Sequence, residues 1–337
     1  MKSYRFFTSA AFAVALTASS SAHATLTSFQ TFVGNYGVST AGWGSTSQSG
    51  HITANVPIGD TVVAAYLYTS TYNDMSGAGG TFGGTAVNYT PLSANASATY
   101  LQAGRTDVTS IVAPIIDGGA GGVYNFNVTE TSPGQDGEAL VVVYKQASLP
   151  TTTIGILDGS SATTGDTTSI NFSKPLDPTS PGFFASMALG IGFSYDGTNC
   201  TGGGQSSTIT VNGTTITNNA GCNDSSVDAT PANGNLITVG GYINGFTTSI
   251  LPSIANDHEM YNLVPQITKG DTKITVNTLN PSNDDNIFLT VFSVSGEAGI
   301  NVPPPSPNNN VPEPSTLGLF GLALLSFGFQ RKLPKRS

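Results

Sequence analysis

Two short acidic segments contain the residues of this sequence with the clearest potential for ligand chemistry. Asp257 and Glu259 lie in one segment, and Asp284 and Asp285 lie in the other, each time beside asparagines. Calcium binds about six to eight hard oxygen ligands, which carboxylates, amide oxygens and backbone carbonyls can supply. The pattern therefore predicts a calcium site, although neither segment has the spacing of an EF-hand loop. Asn and Asp are also common turn residues, and this alternative stays open.

Residues that could carry out catalysis are scarce. Of the 3 histidines, only His51 and His258 lie beyond residue 24, and no Gly-x-Ser-x-Gly nucleophile motif is present. His51 lies in an alternating, strand-like pattern, where a surface histidine needs no catalytic role. Nothing in the sequence marks one of the glutamates as a proton donor. We therefore expect a protein that is not an enzyme. Paired carboxylates for glycoside hydrolysis stay open, because their separation depends on the fold.

The elements that position these residues are expected to be β-strands. Charged residues make up 9% of the sequence, against about 25% in ordinary soluble domains, and 40 of the 337 residues are glycine. Abundant Ser, Thr and Asn accompany the glycines, and this composition favours strands and tight turns over helices. No long window between the two ends has the pattern of an amphipathic helix.

Short strand-like runs follow one another through residues 25–298, separated by clusters of Gly, Asn, Asp and Pro. The clearest runs are residues 62–68, 140–144, 152–157, 183–193, 207–211, 272–276 and 287–294. Apolar residues are nearly continuous around Val141 and Leu289, which indicates strands buried on both faces, whereas residues 208–211 alternate. We predict an all-β domain over residues 25–298, with a β-sandwich or jelly-roll-like fold. One large sandwich is preferred over two parts divided near residues 177–181.

Residues 1–24 have the three parts of a secretory signal peptide. Two basic residues precede an apolar run over residues 6–16, and Ala22 and Ala24 supply the small residues that signal peptidase accepts. The apolar run is about half as long as the roughly 20 residues that a membrane-spanning helix needs. A retained anchor is therefore disfavoured, and we predict cleavage after Ala24.

A second targeting pattern lies near the other end. Pro312, Glu313 and Pro314 precede an almost wholly apolar run, residues 317–329, which is followed by a basic tail. We predict a short hydrophobic helix in the membrane, and the positive-inside bias places the tail on the cytoplasmic side. Ahead of this pattern, residues 299–311 are rich in Pro and Asn and are expected to form a stiff, extended linker.

The three parts of residues 312–337, in this order, resemble the PEP-CTERM sorting signal of Gram-negative bacteria. The resemblance implies recognition near Pro312, Glu313 and Pro314 by exosortase, a membrane protease-transpeptidase with a catalytic cysteine. It also implies a system associated with extracellular polysaccharide and biofilm. The hydrophobic stretch is short for a membrane span, and a chance Pro-Glu-Pro ahead of a permanent anchor is the alternative.

The sequence has 2 cysteines, Cys200 and Cys222, which flank a predicted hairpin. Residues 207–211 and 214–217 surround Asn212-Gly213, a pair suited to a type I′ turn because both positions take positive φ. A hairpin brings positions on either side of its turn together, and the exported destination is oxidising. A disulfide between the two cysteines is therefore predicted. Free thiols or a metal site are the alternatives, and zinc is disfavoured because no histidine lies nearby.

These patterns together predict the class and location of the protein. The net charge of −9 disfavours nucleic acid as a partner, because an acidic surface repels phosphates. We expect processing by signal peptidase and exosortase, with transient contact to the inner membrane. The destination is the cell surface or extracellular matrix of a Gram-negative bacterium, as a non-catalytic protein associated with exopolysaccharide or biofilm. The alternative is a carbohydrate-binding or carbohydrate-cleaving β-sandwich, which an aromatic-lined groove or two carboxylates about 5 to 10 Å apart would favour.

Overall fold

The computed structural model of the chain describes residues 25–73, 75–93, 100–162, 164–195, 205, 207–225, 233–241, 245–280 and 286–305. The predicted signal peptide and the predicted C-terminal sorting signal, with its hydrophobic helix, lie outside these residues. Within them, no helix has both the length and the apolar character needed to cross a membrane.

The described residues are mostly strands. In chain order these are β1 (Thr27–Gly34), β2 (Tyr36–Trp43), β3 (Ser49–Val56), β4 (Thr61–Tyr72), β5 (Gly79–Phe82), β6 (Thr85–Asn88), β7 (Thr90–Pro91), β8 (Leu101–Asp107), β9 (Gly122–Glu130), β10 (Gln135–Lys145), β11 (Thr152–Asp158), β12 (Asp166–Phe172), β13 (Ala185–Gly192), β14 (Ser207–Val211), β15 (Thr214–Ala220), β16 (Thr238–Val239), β17 (Met260–Asn262), β18 (Lys273–Leu279), β19 (Asn286–Ser295) and β20 (Ala298–Ile300). One α-helix, α1, spans Thr109–Asp117, and short 3₁₀ helices cover Ile254–Asn256 and Val264–Gln266.

The strands pair antiparallel into four sheets. The N-terminal sandwich has an outer sheet in the order β3-β9-β5-β6 and an inner sheet in the order β2-β10-β4-β8-β7. The C-terminal sandwich has an inner sheet in the order β1-β11-β19-β13-β16, in which β17 also pairs with β13. Its outer sheet has the order β15-β14-β18-β12-β20. The sequence prediction of an all-β, sandwich-like fold is confirmed.

Three hydrophobic cores stack these four sheets into one assembly. The first lies between the two sheets of the N-terminal sandwich, where Phe82 and Phe126 stack with ring centroids 5.0 Å apart. The second lies between the two inner sheets, where Tyr68 of β4 meets Phe288 of β19 at 6.2 Å. The third fills the C-terminal sandwich. The two inner sheets therefore bury both of their faces.

The sequence patterns follow from this layering. Strands β10 and β19 lie in the inner sheets, and nearly every residue in them is buried, as the continuous apolar runs around Val141 and Leu289 predicted. Strand β14 lies in an outer sheet and alternates between buried and partly exposed residues. A strand with one solvated face needs apolar side chains at every second position only.

Two local features refine the sequence analysis. The hairpin of β14 and β15 turns at Asn212 and Gly213, with φ of 49° and 80°, and Val211 pairs with Thr214. The predicted type I′ turn is thus present. Helix α1 was not predicted, since only 9 residues form it, and it covers the first core with Val112 and Ile116.

The chain passes from one sandwich to the other between β10 and β11, residues 146–151. Residues 177–181, which the sequence suggested as a dividing point, connect β12 to β13 inside the C-terminal sandwich instead. Strand β1 precedes the N-terminal sandwich in the chain but pairs with β11. Because β1 belongs to the C-terminal sandwich, the chain crosses between the two sandwiches twice.

Candidate ligand-binding cleft

Strand β2 marks the seam between the two sandwiches. It is an edge strand of its inner sheet, and the Ser39 hydroxyl accepts a hydrogen bond from the Asn55 backbone N–H of β3 at 2.9 Å. On its other side, the Thr40 hydroxyl donates to the Gly240 carbonyl of the C-terminal sandwich. Two cavities follow one another along β2 at this seam. Together they form the seam cleft.

The first cavity is rich in aromatic side chains, and we call it the aromatic cavity. Its volume is about 590 Å³, within the range of roughly 300–1,000 Å³ typical of ligand sites. Its aromatic lining comes from β2, β10, the two residues before β13 and the loop before β17, as Tyr36, Tyr144, Phe183, Phe184 and Phe246. Three amide side chains join them, Asn55, Gln146 and Asn262. No charged side chain of the described residues lines this cavity.

Local packing fixes part of this wall. Tyr144 of β10 faces Gly37 of β2, and a Cβ at Gly37 would lie 2.4 Å from a carbon of the Tyr144 ring. A glycine at this position therefore lets the ring lie flat against β2. Tyr36 packs edge-to-face on Phe32 at 6.0 Å. Phe246 differs from these residues because 42% of its surface is exposed to solvent.

The second cavity, which we call the acidic cavity, has a volume of about 340 Å³. It brings together His51 and His258, which the sequence had offered as unrelated histidines, with Trp43, Asp224 and Asp257. Both oxygens of Asp224 accept backbone N–H groups, from Leu236 at 3.0 Å and Asn233 at 3.1 Å. Burial raises the Asp224 pKa, and these hydrogen bonds oppose that rise. Asp224 therefore holds residues 233–236 in place beside the acidic cavity.

Asp257 and Glu259 form a buried carboxyl pair behind the acidic cavity. Asp257 accepts the Cys222 N–H at 2.7 Å, and Glu259 accepts the Gly221 N–H at 2.6 Å and the Tyr261 hydroxyl at 2.9 Å. Both side chains are fully buried. Burial is the main cause that raises the pKa of each group, and the charge of Asp257 raises that of Glu259 further. Two carboxyls in such contact hold one proton between them, which we place on Glu259.

The calcium prediction at these residues is not tested by this geometry. Asp257 and Glu259 contact each other, and the hydrogen bonds that they accept come from backbone N–H groups and a hydroxyl. Among the described residues, no group of three or more Asp, Glu, His or Cys side chains is arranged to hold a metal ion. Asp284 and Asp285 lie outside the described residues, so the second half of the predicted site stays a prediction.

Of the two cysteines in the predicted disulfide, the structure describes one. Cys222 is buried directly after β15, beside the carboxyl pair, and Cys200 lies outside the described residues. No described cysteine is free. The pairing of Cys200 with Cys222 therefore stays a prediction. Ala22 and Ala24, and Pro312, Glu313 and Pro314, lie outside the described residues in the same way.

Sequence reasoning missed a second group of buried carboxyls. Glu130 ends β9, and Asp136 and Glu138 lie in β10. Burial raises the pKa of Glu130 and that of Asp136 to about 8, and it raises the pKa of Glu138 well above its usual range. The Tyr89 hydroxyl donates to Glu138 at 2.5 Å. One oxygen of Glu130 and one of Asp136 have no hydrogen-bond partner among the described residues. The sequence places Glu138 directly before the apolar run of residues 139–143, and this position is the signal that could have indicated its burial.

A family described as the PEP-CTERM protein-sorting motif matches residues 310–332. The chain therefore carries this sorting motif, and the resemblance seen around Pro312, Glu313 and Pro314 is confirmed. The motif implies an exported protein that exosortase processes at the membrane. The match covers the sorting segment alone and does not extend into the β-sandwiches.

No curated protein matches the chain. A solved structure described as recombinant N-glycanase F (PNGase F) is 10% identical, over 79% of this chain and 99% of that one, with a TM-score of 0.27. A β-porphyranase of glycoside hydrolase family 86, BpGH86A from the human gut bacterium Bacteroides plebeius, is 10% identical over 76% and 35% of the two chains, with a TM-score of 0.21. At these TM-scores, neither likeness supports an argument about this protein.

Proposed function

We propose that this protein is a non-catalytic component of the bacterial cell surface or extracellular matrix, delivered there by export and exosortase processing. The sorting motif at residues 310–332 carries the proposal. A protein that is exported and then processed at the membrane is expected to act on the outer side of that membrane. The exopolysaccharide layer of a Gram-negative cell is the proposed destination, because the resemblance links this signal to that layer.

The non-catalytic part of the proposal is supported by how the seam cleft uses its carboxyls. Asp224 and Asp257 line the acidic cavity, yet both oxygens of Asp224 and one oxygen of Asp257 accept backbone N–H groups of the 221–236 region. The other oxygen of Asp257 is buried and has no hydrogen-bond partner among the described residues. A general acid or base must reach a substrate proton within hydrogen-bond distance. Carboxyls that hold a loop in place are better explained as structural groups.

Recovery of the protein from its native envelope and medium tests the delivery. Intact-mass measurement should give a chain that starts at Thr25 and lacks the segment after the Pro-Glu-Pro motif. Replacing Pro312, Glu313 and Pro314 together by alanine should leave the basic tail attached and hold the protein in the inner-membrane fraction. Pro307→Ala changes a proline outside the motif and should be processed normally. A mature surface protein that still carries its basic tail would refute exosortase processing.

The aromatic cavity favours a second function, carbohydrate binding. A concave site lined by rings and a few amides is the usual composition of a small-molecule site, and sugars present both C–H faces and hydroxyls. Cosedimentation of the protein with the exopolysaccharide of its host measures this binding, and an assay for new reducing ends in the same tube measures cleavage. We expect binding without new reducing ends. Release of reducing ends would contradict the non-catalytic assignment.

A further inference from the structure

We propose that the aromatic cavity binds a neutral glycan segment of a few sugars, with one sugar ring stacked on Phe246 at the cavity mouth. The inference rests on the carbohydrate-binding function proposed above, and it specifies the site, the charge of the ligand and the residues in contact with it. Three observations on the cavity lead to it: its lack of charge, its exposed ring and its unused amides.

The first observation is the absence of charge. The chain has 20 acidic and 11 basic residues, yet no charged side chain among the described residues lines the aromatic cavity. A charged ligand would lose its water there without gaining an opposite charge, which costs several kcal/mol. An anionic polysaccharide would in addition be repelled by the acidic surface. The cavity therefore fits an uncharged ligand.

The second observation is the exposure of Phe246. Large apolar side chains at the surface of a folded domain indicate a contact surface when they border a concave site. Phe246 is 42% exposed and lines the same cavity as the more buried Tyr36, Phe183 and Phe184. A flat aromatic face at a cavity mouth suits the flat C–H face of a pyranose ring.

The third observation separates a sugar from a lipid. The side-chain amides of Asn55 and Gln146 make no hydrogen bond to another residue in the described part of the chain, and both line the cavity. Each amide offers a donor and an acceptor, which is the pairing that a hydroxyl group needs. An acyl chain or an apolar peptide would remove water from these amides and return no hydrogen bond. A hydroxyl-rich ligand satisfies them.

The cavity is already shaped for such a ligand. Part of its wall comes from β2, β10, β13 and β19 of the two inner sheets, and the close approach of Gly37 to Tyr144 fixes one ring. A preformed site loses little conformational entropy on binding.

Titration of the whole chain, expressed in an exosortase-containing host, with neutral oligosaccharides of about two to six hexoses or pentoses tests the proposal. Isothermal calorimetry should show binding of at least one neutral series, and Phe246→Ala should weaken it about tenfold. Asn55→Ala should weaken it as well. Ile250→Ala is the matched control, because Ile250 is 51% exposed in the same segment but does not line the cavity. Its affinity should equal that of the unchanged protein.

Several outcomes would overturn the proposal. These are the absence of binding to every neutral series, binding to oligogalacturonates alone, displacement of the bound sugar by decanoate, or equal affinity before and after Phe246→Ala. Circular dichroism spectra of each variant separate loss of the site from loss of the fold. Cosedimentation with the host exopolysaccharide, measured on the same preparation, tests carbohydrate binding without reference to this site, so the carbohydrate-binding function and the proposed site can fail separately.

Discussion

Glu130, the buried glutamate at the end of β9, is expected to reduce the stability of the folded protein at neutral pH. Glu130 is 7% exposed, one of its oxygens has no hydrogen-bond partner among the described residues, and burial raises its pKa to about 8. The folded protein therefore keeps Glu130 protonated at pH 7, while the unfolded chain releases the proton near pH 4.5. We predict that Glu130→Gln stabilises the protein at neutral pH.

The sign and size of this effect follow from linkage. A carboxyl whose pKa is higher in the folded state favours folding most below the unfolded value, and this contribution is lost as the pH rises toward the folded value. Each pH unit between the two values costs about 1.4 kcal/mol, so the penalty grows by about 3 kcal/mol from pH 4.5 to pH 7. Glutamine has nearly the same shape, stays neutral at both pH values and keeps an oxygen for the Gly137 N–H. The Glu130→Gln variant therefore does not lose this folding free energy as the pH rises.

Urea unfolding at pH 4.5 and at pH 7 measures the prediction. The free energy of unfolding of Glu130→Gln minus that of the unchanged protein should be about 3 kcal/mol larger at pH 7 than at pH 4.5, so that the variant gains stability as the pH rises. Glu297→Gln makes the same substitution at a partly exposed glutamate and serves as the control variant. A Glu130→Gln variant that is equally or more destabilised at pH 7 would refute the argument that burial dominates at this position.

Three further predictions concern other parts of the chain. Cys200→Ser should lower the free energy of unfolding by about 3 kcal/mol if Cys222 is its partner, and two alkylatable thiols in the exported protein would contradict the disulfide. Calcium should stabilise the folded protein by about 2.7 kcal/mol at a hundredfold excess over Kd, and the melting temperature in calcium should therefore exceed that in chelator. Asp284→Asn together with Asp285→Asn should remove this difference. Identical melting curves would assign both segments to ordinary turns. Gly37→Ala should cost about 1–3 kcal/mol in a thermal melt, because the added methyl would lie 2.4 Å from a ring carbon, and an unchanged melting temperature would show that the ring moves freely.

The sequence was most informative where structure is local. Continuous apolar runs identified β10 and β19 as strands buried on both faces. Asn212-Gly213 identified the hairpin turn because both residues adopt positive φ readily, as the type I′ turn requires. These features depend on neighbouring residues, which a linear pattern records. The sorting motif is also contiguous, and it was found for the same reason.

The seam cleft could not be found in this way, because its walls come from distant parts of the chain. Tyr36 and Phe246 are more than two hundred positions apart, and His51 meets His258 only because both sandwiches close along β2. Alternation and turn signals do not determine which sheet faces which. The same limit applies to Glu130, whose burial depends on the sheet that covers it rather than on its neighbours in sequence.

The linker that precedes the sorting signal leaves the fold on a side that does not obstruct the cleft. Strand β20 pairs with β12 in the outer sheet of the C-terminal sandwich, and the residues that follow stay fastened there: Asn301 accepts the Ser169 N–H and Val302 accepts an amide N–H of Asn171, both at 2.8 Å. No strand of that outer sheet lines the aromatic or the acidic cavity. The proline-rich linker therefore leaves from a layer that does not form the cleft walls. A protein held or released through this end keeps its cleft walls clear of the linker, and the proposed glycan binding requires this access.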